Sequence, residues 1–136
     1  MLTICGSLSF FEEIRELKKK LTTLGISSEI PDNYDEGNDK VDGEVMIESI
    51  LYNRFINSHL EKISNTNGIL IANYKKNGID GYVGPNTLVE AAFAYALNKK
   101  IFILNNLGKQ GSRDVLLGML PTLLKGDINA IKNHRT

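Results

Sequence analysis

Three short, largely apolar runs, at residues 2–5, 68–72 and 101–104, constrain the fold of this chain more than any other feature. A run of four or five apolar residues without polar alternation reads as a strand covered on both faces, the mark of a parallel sheet. Parallel neighbours need crossover connections, and the intervening segments have a helical period. Across residues 11–24, Ile14, Leu17, Leu21 and Leu24 recur at spacings of three and four, and Gly25 follows as a stop signal. Residues 45–63 carry Val45, Ile47, Ile50, Leu51, Phe55, Ile56, Leu60 and Ile63 at helical intervals. A third helix, almost wholly apolar, is predicted across 85–97. Residues 26–30 predict a short strand near an edge, 114–119 a short helix, 121–124 a last weak strand and 127–133 a terminal helical turn.

Alternating strands and helices with short connections build an α/β domain in three layers. Right-handed crossovers leave few topologies. The expectation is a flavodoxin-like or Rossmann-like fold: one domain over residues 1–136, a five-stranded parallel sheet in the order 2-1-3-4-5, and helices on both faces. Residues 31–43 hold four aspartates, a glutamate, two glycines and two asparagines without apolar periodicity, and read as a loop with the composition of a lid.

In such sheets a ligand sits outside the carboxyl ends of the strands, at the point where strand order reverses. That directs attention to Gly6 and Ser7 after the first strand, to the polar loop 73–84 after the third, and to the helix that follows it. On this helix Glu90 is the only charged side chain between Asp80 and Lys99. A carboxylate in an apolar helix must face water, be paired, or do chemistry. Thr87-Leu-Val-Glu90 fits a capping box, in which Thr87 caps the helix and Glu90 reaches back to the cap amide. A carboxylate in the first turn also suits the helix dipole. Capping and catalysis both remain open on spacing alone, since a capping carboxylate can keep one oxygen free.

The other candidates have plain structural readings beside the functional ones. Gly6 and Ser7 offer amide and hydroxyl groups to an anion or ribose, or form a turn in which Ser7 or Ser9 caps a helix. Neither a GxGxxG fingerprint nor a P-loop is present. Asp80 is a second carboxylate that the loop could bring toward Glu90. Lys75, Lys76 and Arg113 could meet a phosphate, or be solvated loop charges. His59, alone on the long helix, reads as a surface or packing residue. Cys5, the single cysteine, is expected to be buried and inert. No Cys/His set has zinc-ligand spacing, so neither a metal site nor a cofactor is expected.

The 16 basic and 16 acidic residues cancel, which argues against a nucleic-acid polymer as partner. No apolar run approaches the roughly 18 residues a membrane span needs. The start, Met1-Leu-Thr-Ile-Cys-Gly, lacks the layout of a signal peptide. A cytoplasmic protein without membrane contact is expected.

Leu2-Thr-Ile-Cys-Gly-Ser7, Gly68-Ile-Leu-Ile-Ala-Asn-Tyr74 and the block from Gly84-Pro-Asn-Thr-Leu-Val-Glu90 through Leu104 resemble the nucleoside 2-deoxyribosyltransferase-like superfamily. The resemblance implies cleavage or transfer at the N-glycosidic bond of a deoxynucleoside or its 5′-monophosphate, and so a small nucleoside or nucleotide as partner. It also implies assembly into a homodimer or larger homo-oligomer, which the apolar Phe93, Tyr95 and Leu97 would suit. Glu90 matches the family's nucleophile. Gly6, Ser7, Asn73, Tyr74, Gly84 and Asn86 fall on substrate-binding positions, with Asp80 as candidate acid. Ala92 stands where the family usually has glycine. A carboxylate under the anomeric carbon suits this chemistry, because an oxocarbenium-like transition state can collapse onto it, as in retaining glycosidases. The competing reading is a non-catalytic nucleotide-binding or sensing module on the same fold, with Glu90 as a cap. Flavodoxin-type and receiver-type domains fit less well, because the phosphate loop and the acidic pair they need are missing.

Overall fold

The computed structural model describes residues 1–32 and 45–134. In chain order these form β1 (Leu2–Cys5), a 3₁₀ turn (Leu8–Phe10), α1 (Phe11–Thr23), β2 (Ser28–Glu29), α2 (Val45–Ser64), β3 (Gly68–Ile71), α3 (Pro85–Ala96), β4 (Lys100–Ile103), α4 (Arg113–Gly118), β5 (Thr122–Leu123) and a final 3₁₀ helix (Ile128–His134). The five strands pair in the order 2-1-3-4-5, all parallel. The expected α/β architecture is therefore the one observed. The suggested lid falls, from residue 33 onward, outside the described residues.

Pleating divides the core in two. From β1, Leu2 and Ile4 join Ile14, Leu17 and Leu21 of α1 on one face of the sheet. Cys5 joins Ile63 of α2, Ala91 and Ala94 of α3, and Ile69 and Ile71 of β3 on the other. Thr3 also points to this second face, where its hydroxyl meets that of Thr66 at 2.7 Å and its polar atom is satisfied. Glu12 and Glu13 in the first turn of α1 and Lys20 in its last suit the helix dipole.

The loops at the carboxyl ends of the strands are tied down. Asn73, fully buried, donates from Nδ2 to the carbonyls of Asn105 at 2.7 Å and Gly81 at 3.3 Å, and its Oδ1 accepts from the Asn105 amide at 2.9 Å. Gln110 accepts from the Val83 amide at 2.8 Å and donates to the Gly81 carbonyl at 2.9 Å. Gly81 has φ +61°, and a Cβ there would lie 2.1 Å from the Asn106 carbonyl, so the crossing of these two loops requires glycine. Gly6 has a similar constraint, since a Cβ would sit 2.9 Å from the Ala72 carbonyl. The close approach of the first and third strand ends brings the two candidate ligand loops together.

Helix α3 begins differently from the capping-box expectation. Gly84 is its N-cap and Pro85 its first residue, with no side-chain cap and no acidic group in the first turn. Proline suits this place because the amide it lacks would have no partner there. Thr87 lies inside the helix and is buried, and Glu90 falls in the second turn. The capping explanation of Glu90 is thereby removed.

Candidate active site

A cavity of about 210 Å³ opens at the carboxyl end of β1. It is lined by Gly6, Ser7 and Leu8 from the first loop, Lys76 and Tyr82 from the loop after β3, and Gly84, Pro85, Asn86, Thr87 and Glu90 from the start of α3, with Pro31 and Phe55 closing one side. A cavity of about 460 Å³ lies elsewhere, against α1, and three exposed glutamates, Glu12, Glu13 and Glu16, contribute to its wall. The smaller cavity is the one with a buried carboxyl group, and it is the candidate site on that ground.

Glu90 reaches this cavity with a side chain only 12 % exposed. One of its oxygens, Oε2, lies 3.4 Å from Nε2 of His59, which is almost fully buried on α2. Burial penalises the charged form of both groups. It pushes the Glu90 carboxyl up to about 8. It also brings the His59 imidazole down to about 4, with help from the Lys62 ammonium and against the pull of Asp32. At neutral pH the contact therefore joins a protonated carboxyl to a neutral imidazole and is not an ion pair. Neither ring nitrogen of His59 has a hydrogen-bond partner among the described residues. Cys5 completes the group from below. Its thiol is buried, and burial first, then the nearby Glu90 carboxylate, pushes its pKa well up. The inertness expected of Cys5 as a nucleophile agrees with this shift.

The rim is polar. Ser7 caps the 3₁₀ turn, its Oγ accepting from the Ser9 amide at 3.3 Å, as one of the sequence readings had it. The same Oγ accepts from Lys76 Nζ at 3.1 Å. Lys76 lies over the ring of Tyr82, 5.3 Å from its centroid. Asn86 donates to the hydroxyl of Tyr52 on α2. Of the three cations considered for phosphate binding, Lys76 alone lines this cavity. Lys75 is exposed beside Asp80, and Arg113 donates to the Leu107 carbonyl.

Several expected site residues are placed elsewhere. Asp80 follows the turn that the Lys76–Ile79 bridge closes, with a side chain 79 % exposed, 3.9 Å from Lys75. Its carbonyl is held by the Gly108 amide at 2.7 Å, which fixes the turn and leaves the carboxylate in solvent, away from Glu90. Asn73 spends its amide on joining loops and does not line the cavity. Tyr74 packs edge-on against Phe10, with ring centroids 5.4 Å apart, and faces the cavity against α1. Gly6, Ser7, Gly84, Asn86 and Glu90 do come together. Ala92 is exposed and is not part of the cavity wall.

His59 was read as a surface or packing residue, and the structure corrects the first of these. The signal was present: His59 follows Ile56 by three positions and precedes Ile63 by four, so it shares their apolar stripe.

No protein-family model matches the chain, and no curated protein matches it. Among solved structures it is similar to the 2-deoxyribosyltransferase of the psychrotolerant bacterium Bacillus psychrosaccharolyticus. The identity is 16 % over 89 % of this chain and 97 % of that chain, with a TM-score of 0.48. A likeness at that level assigns neither family nor activity.

Proposed function

We propose that this protein cleaves or transfers at the N-glycosidic bond of a (deoxy)nucleoside or its 5′-monophosphate, with Glu90 as nucleophile. The observation that carries the reading is a single carboxyl group, shielded from bulk water, in a small cavity walled by Gly6–Ser7 and the start of α3. The motif blocks that resemble nucleoside 2-deoxyribosyltransferases contribute the choice of substrate.

The cavity is smaller than the roughly 300–1,000 Å³ of a typical ligand pocket and suits a sugar ring better than a whole nucleotide. In the first step the Glu90 carboxylate attacks the anomeric carbon and the base departs, leaving a glycosyl ester. Glu90 must lose its proton first, and because burial leaves His59 too weak a base to hold it, the proton leaves to solvent through the cavity. Positive charge developing on the sugar ring favours the carboxylate in the same step. Tyr82 lines the same cavity, and its hydroxyl can donate to the departing base. Water then releases the sugar, or a second base captures it. Lys76 with Ser7 supplies the place for a 5′-phosphate. We also assign the protein a homo-oligomeric state, because Val89, Tyr95 and Leu97 at α3 are 58 %, 54 % and 43 % exposed.

Incubation with a panel of nucleosides, deoxynucleosides and their monophosphates should release free base. Glu90→Gln should lower the rate by on the order of 10³-fold or more while leaving the circular dichroism unchanged. Undiminished turnover in Glu90→Gln removes Glu90 as nucleophile.

A further inference from the structure

Cys5, His59 and Glu90 come from three separate elements, the end of β1, the middle of α2 and the second turn of α3. These elements pack on one face of the sheet, so the three side chains are held together by the core and not by a loop. Each can offer one ligand atom, and these atoms all lie within 4.8 Å of one another. Three atoms so placed share a point no more than about 2.8 Å from each, against 2.0–2.3 Å for zinc–nitrogen, zinc–oxygen and zinc–sulfur bonds. Side-chain movements of up to roughly 0.5–0.8 Å would close the difference.

A second observation points to a ligand. His59 is 1 % exposed, and both of its ring nitrogens lack a hydrogen-bond partner among the described residues. A buried imidazole left this way costs free energy unless something takes its lone pair.

We propose that Cys5, His59 and Glu90 bind a divalent transition metal of the zinc class, and that its occupancy withdraws Glu90 from glycosyl chemistry. The second half of this statement rests on the function proposed above; the first does not. A sulfur, nitrogen and oxygen donor set selects zinc and its neighbours over magnesium and calcium, which take oxygen ligands. On binding, the Cys5 thiol and the Glu90 carboxyl each release a proton to solvent, while His59 enters neutral. Two negative ligands then balance the dipositive ion, leaving the buried cluster without net charge. Of the three ligands, Glu90 lines the cavity, so an ion and its water would reach the site from that side. Spacing along the chain gave no hint of this set, because metal motifs read from sequence depend on ligands close together within one segment.

Cobalt(II) titration of the tag-free protein tests the site without reference to catalysis. One equivalent should bind, with a thiolate-to-cobalt charge-transfer band that zinc abolishes by displacement. Cys5→Ser should lose the band, and His59→Ala and Glu90→Gln should each weaken binding by roughly 100-fold or more, beyond what loss of a supporting residue costs. Replacing the exposed His134 should change nothing. If the variants fold poorly, zinc X-ray absorption on the wild-type protein decides, with one sulfur at about 2.3 Å expected in a mixed shell. An absent band, a band that survives in His59→Ala and Glu90→Gln, or a shell of nitrogen and oxygen alone overturns the metal site. Zinc should also suppress base release, with restoration by a chelator. Zinc-loaded protein, shown by the cobalt competition to be occupied, that turns over at the full rate overturns the inhibitory half alone. Failure to find any glycosidic substrate bears on the function and leaves the cobalt result standing.

Discussion

Replacing Glu90 by glutamine should change how stability depends on pH, by an amount the structure fixes. Folded Glu90 keeps its proton up to about pH 8, whereas in the unfolded chain it ionises near 4.5. Between those values the native state binds the extra proton, so stability falls as pH rises, by roughly 1.4 kcal/mol per pH unit. Over the whole window the loss reaches about 5 kcal/mol, mostly undiscounted because the side chain is only 12 % exposed. His59 has the opposite sign. It stays neutral in the fold down to about pH 4, while the unfolded chain takes up a proton below 6.5. In that window stability rises with pH at the same slope. The two effects cancel between about pH 4.5 and 6.5, leaving the wild type flat there as far as this pair is concerned. From 6.5 to 8 Glu90 acts alone, and about 2 kcal/mol is lost. Glu90→Gln leaves only the His59 contribution, because the causes that depress His59 are burial and Lys62. The variant should gain about 5 kcal/mol relative to wild type between pH 4.5 and 8. Urea unfolding from about pH 5 to about pH 9 reads this directly as a divergence of midpoints at constant m. Apart from the Cys5 thiol, which also feels the Glu90 carboxylate, other groups titrate alike in both proteins and drop out of the difference. Parallel curves would refute the account, since they would mean that Glu90 ionises at an ordinary pH.

Lys76→Ala should raise KM for a nucleoside monophosphate by roughly 10- to 100-fold, the worth of a charge-assisted hydrogen bond, and leave the unphosphorylated nucleoside within a few fold. Equal losses for both substrates in steady-state assays would remove the phosphate role. Asn73→Ala should cost about 1–3 kcal/mol in urea unfolding, because it strands the buried Gly81 and Asn105 groups that the amide now satisfies. A neutral result would show that those loops close without it. Gel filtration should give a mass above the 15.1 kDa of one chain, and a Val89→Glu variant should shift it downward. A clean monomer for the wild type would count against assembly through α3.

Much of the fold was legible because it follows from local rules. The apolar runs at β1, β3 and β4 are strands for the reason given, burial on both faces. The helix periods gave the crossovers, and handedness then left few orders. The start of α3 at residue 85 was expected, but the capping-box reading of Thr87 to Glu90 required a start three residues later and ignored the signal of Gly84-Pro85. A proline at the first helical position outranks a threonine two residues later as the marker of a helix start. That shift of three residues moved Glu90 from a cap to the second turn. Asp80 and Tyr74 could not be placed, since the direction of a loop side chain depends on which backbone groups anchor the turn. For Asp80 the anchor is Gly108, from a different loop.

The sequence by itself determined the strand order, the helices and the singular position of Glu90, because hydrophobic period and a lone charge are properties of one segment. The tertiary structure decided what Glu90 faces. His59 and Cys5 lie 31 and 85 residues from it along the chain, and only the packing of α2 and α3 over β1 brings them within 4.8 Å. Burial in that low-dielectric setting is the largest cause of the shifted protonation of all three, which is why the chemistry of the site could not be read from the sequence around any one of them.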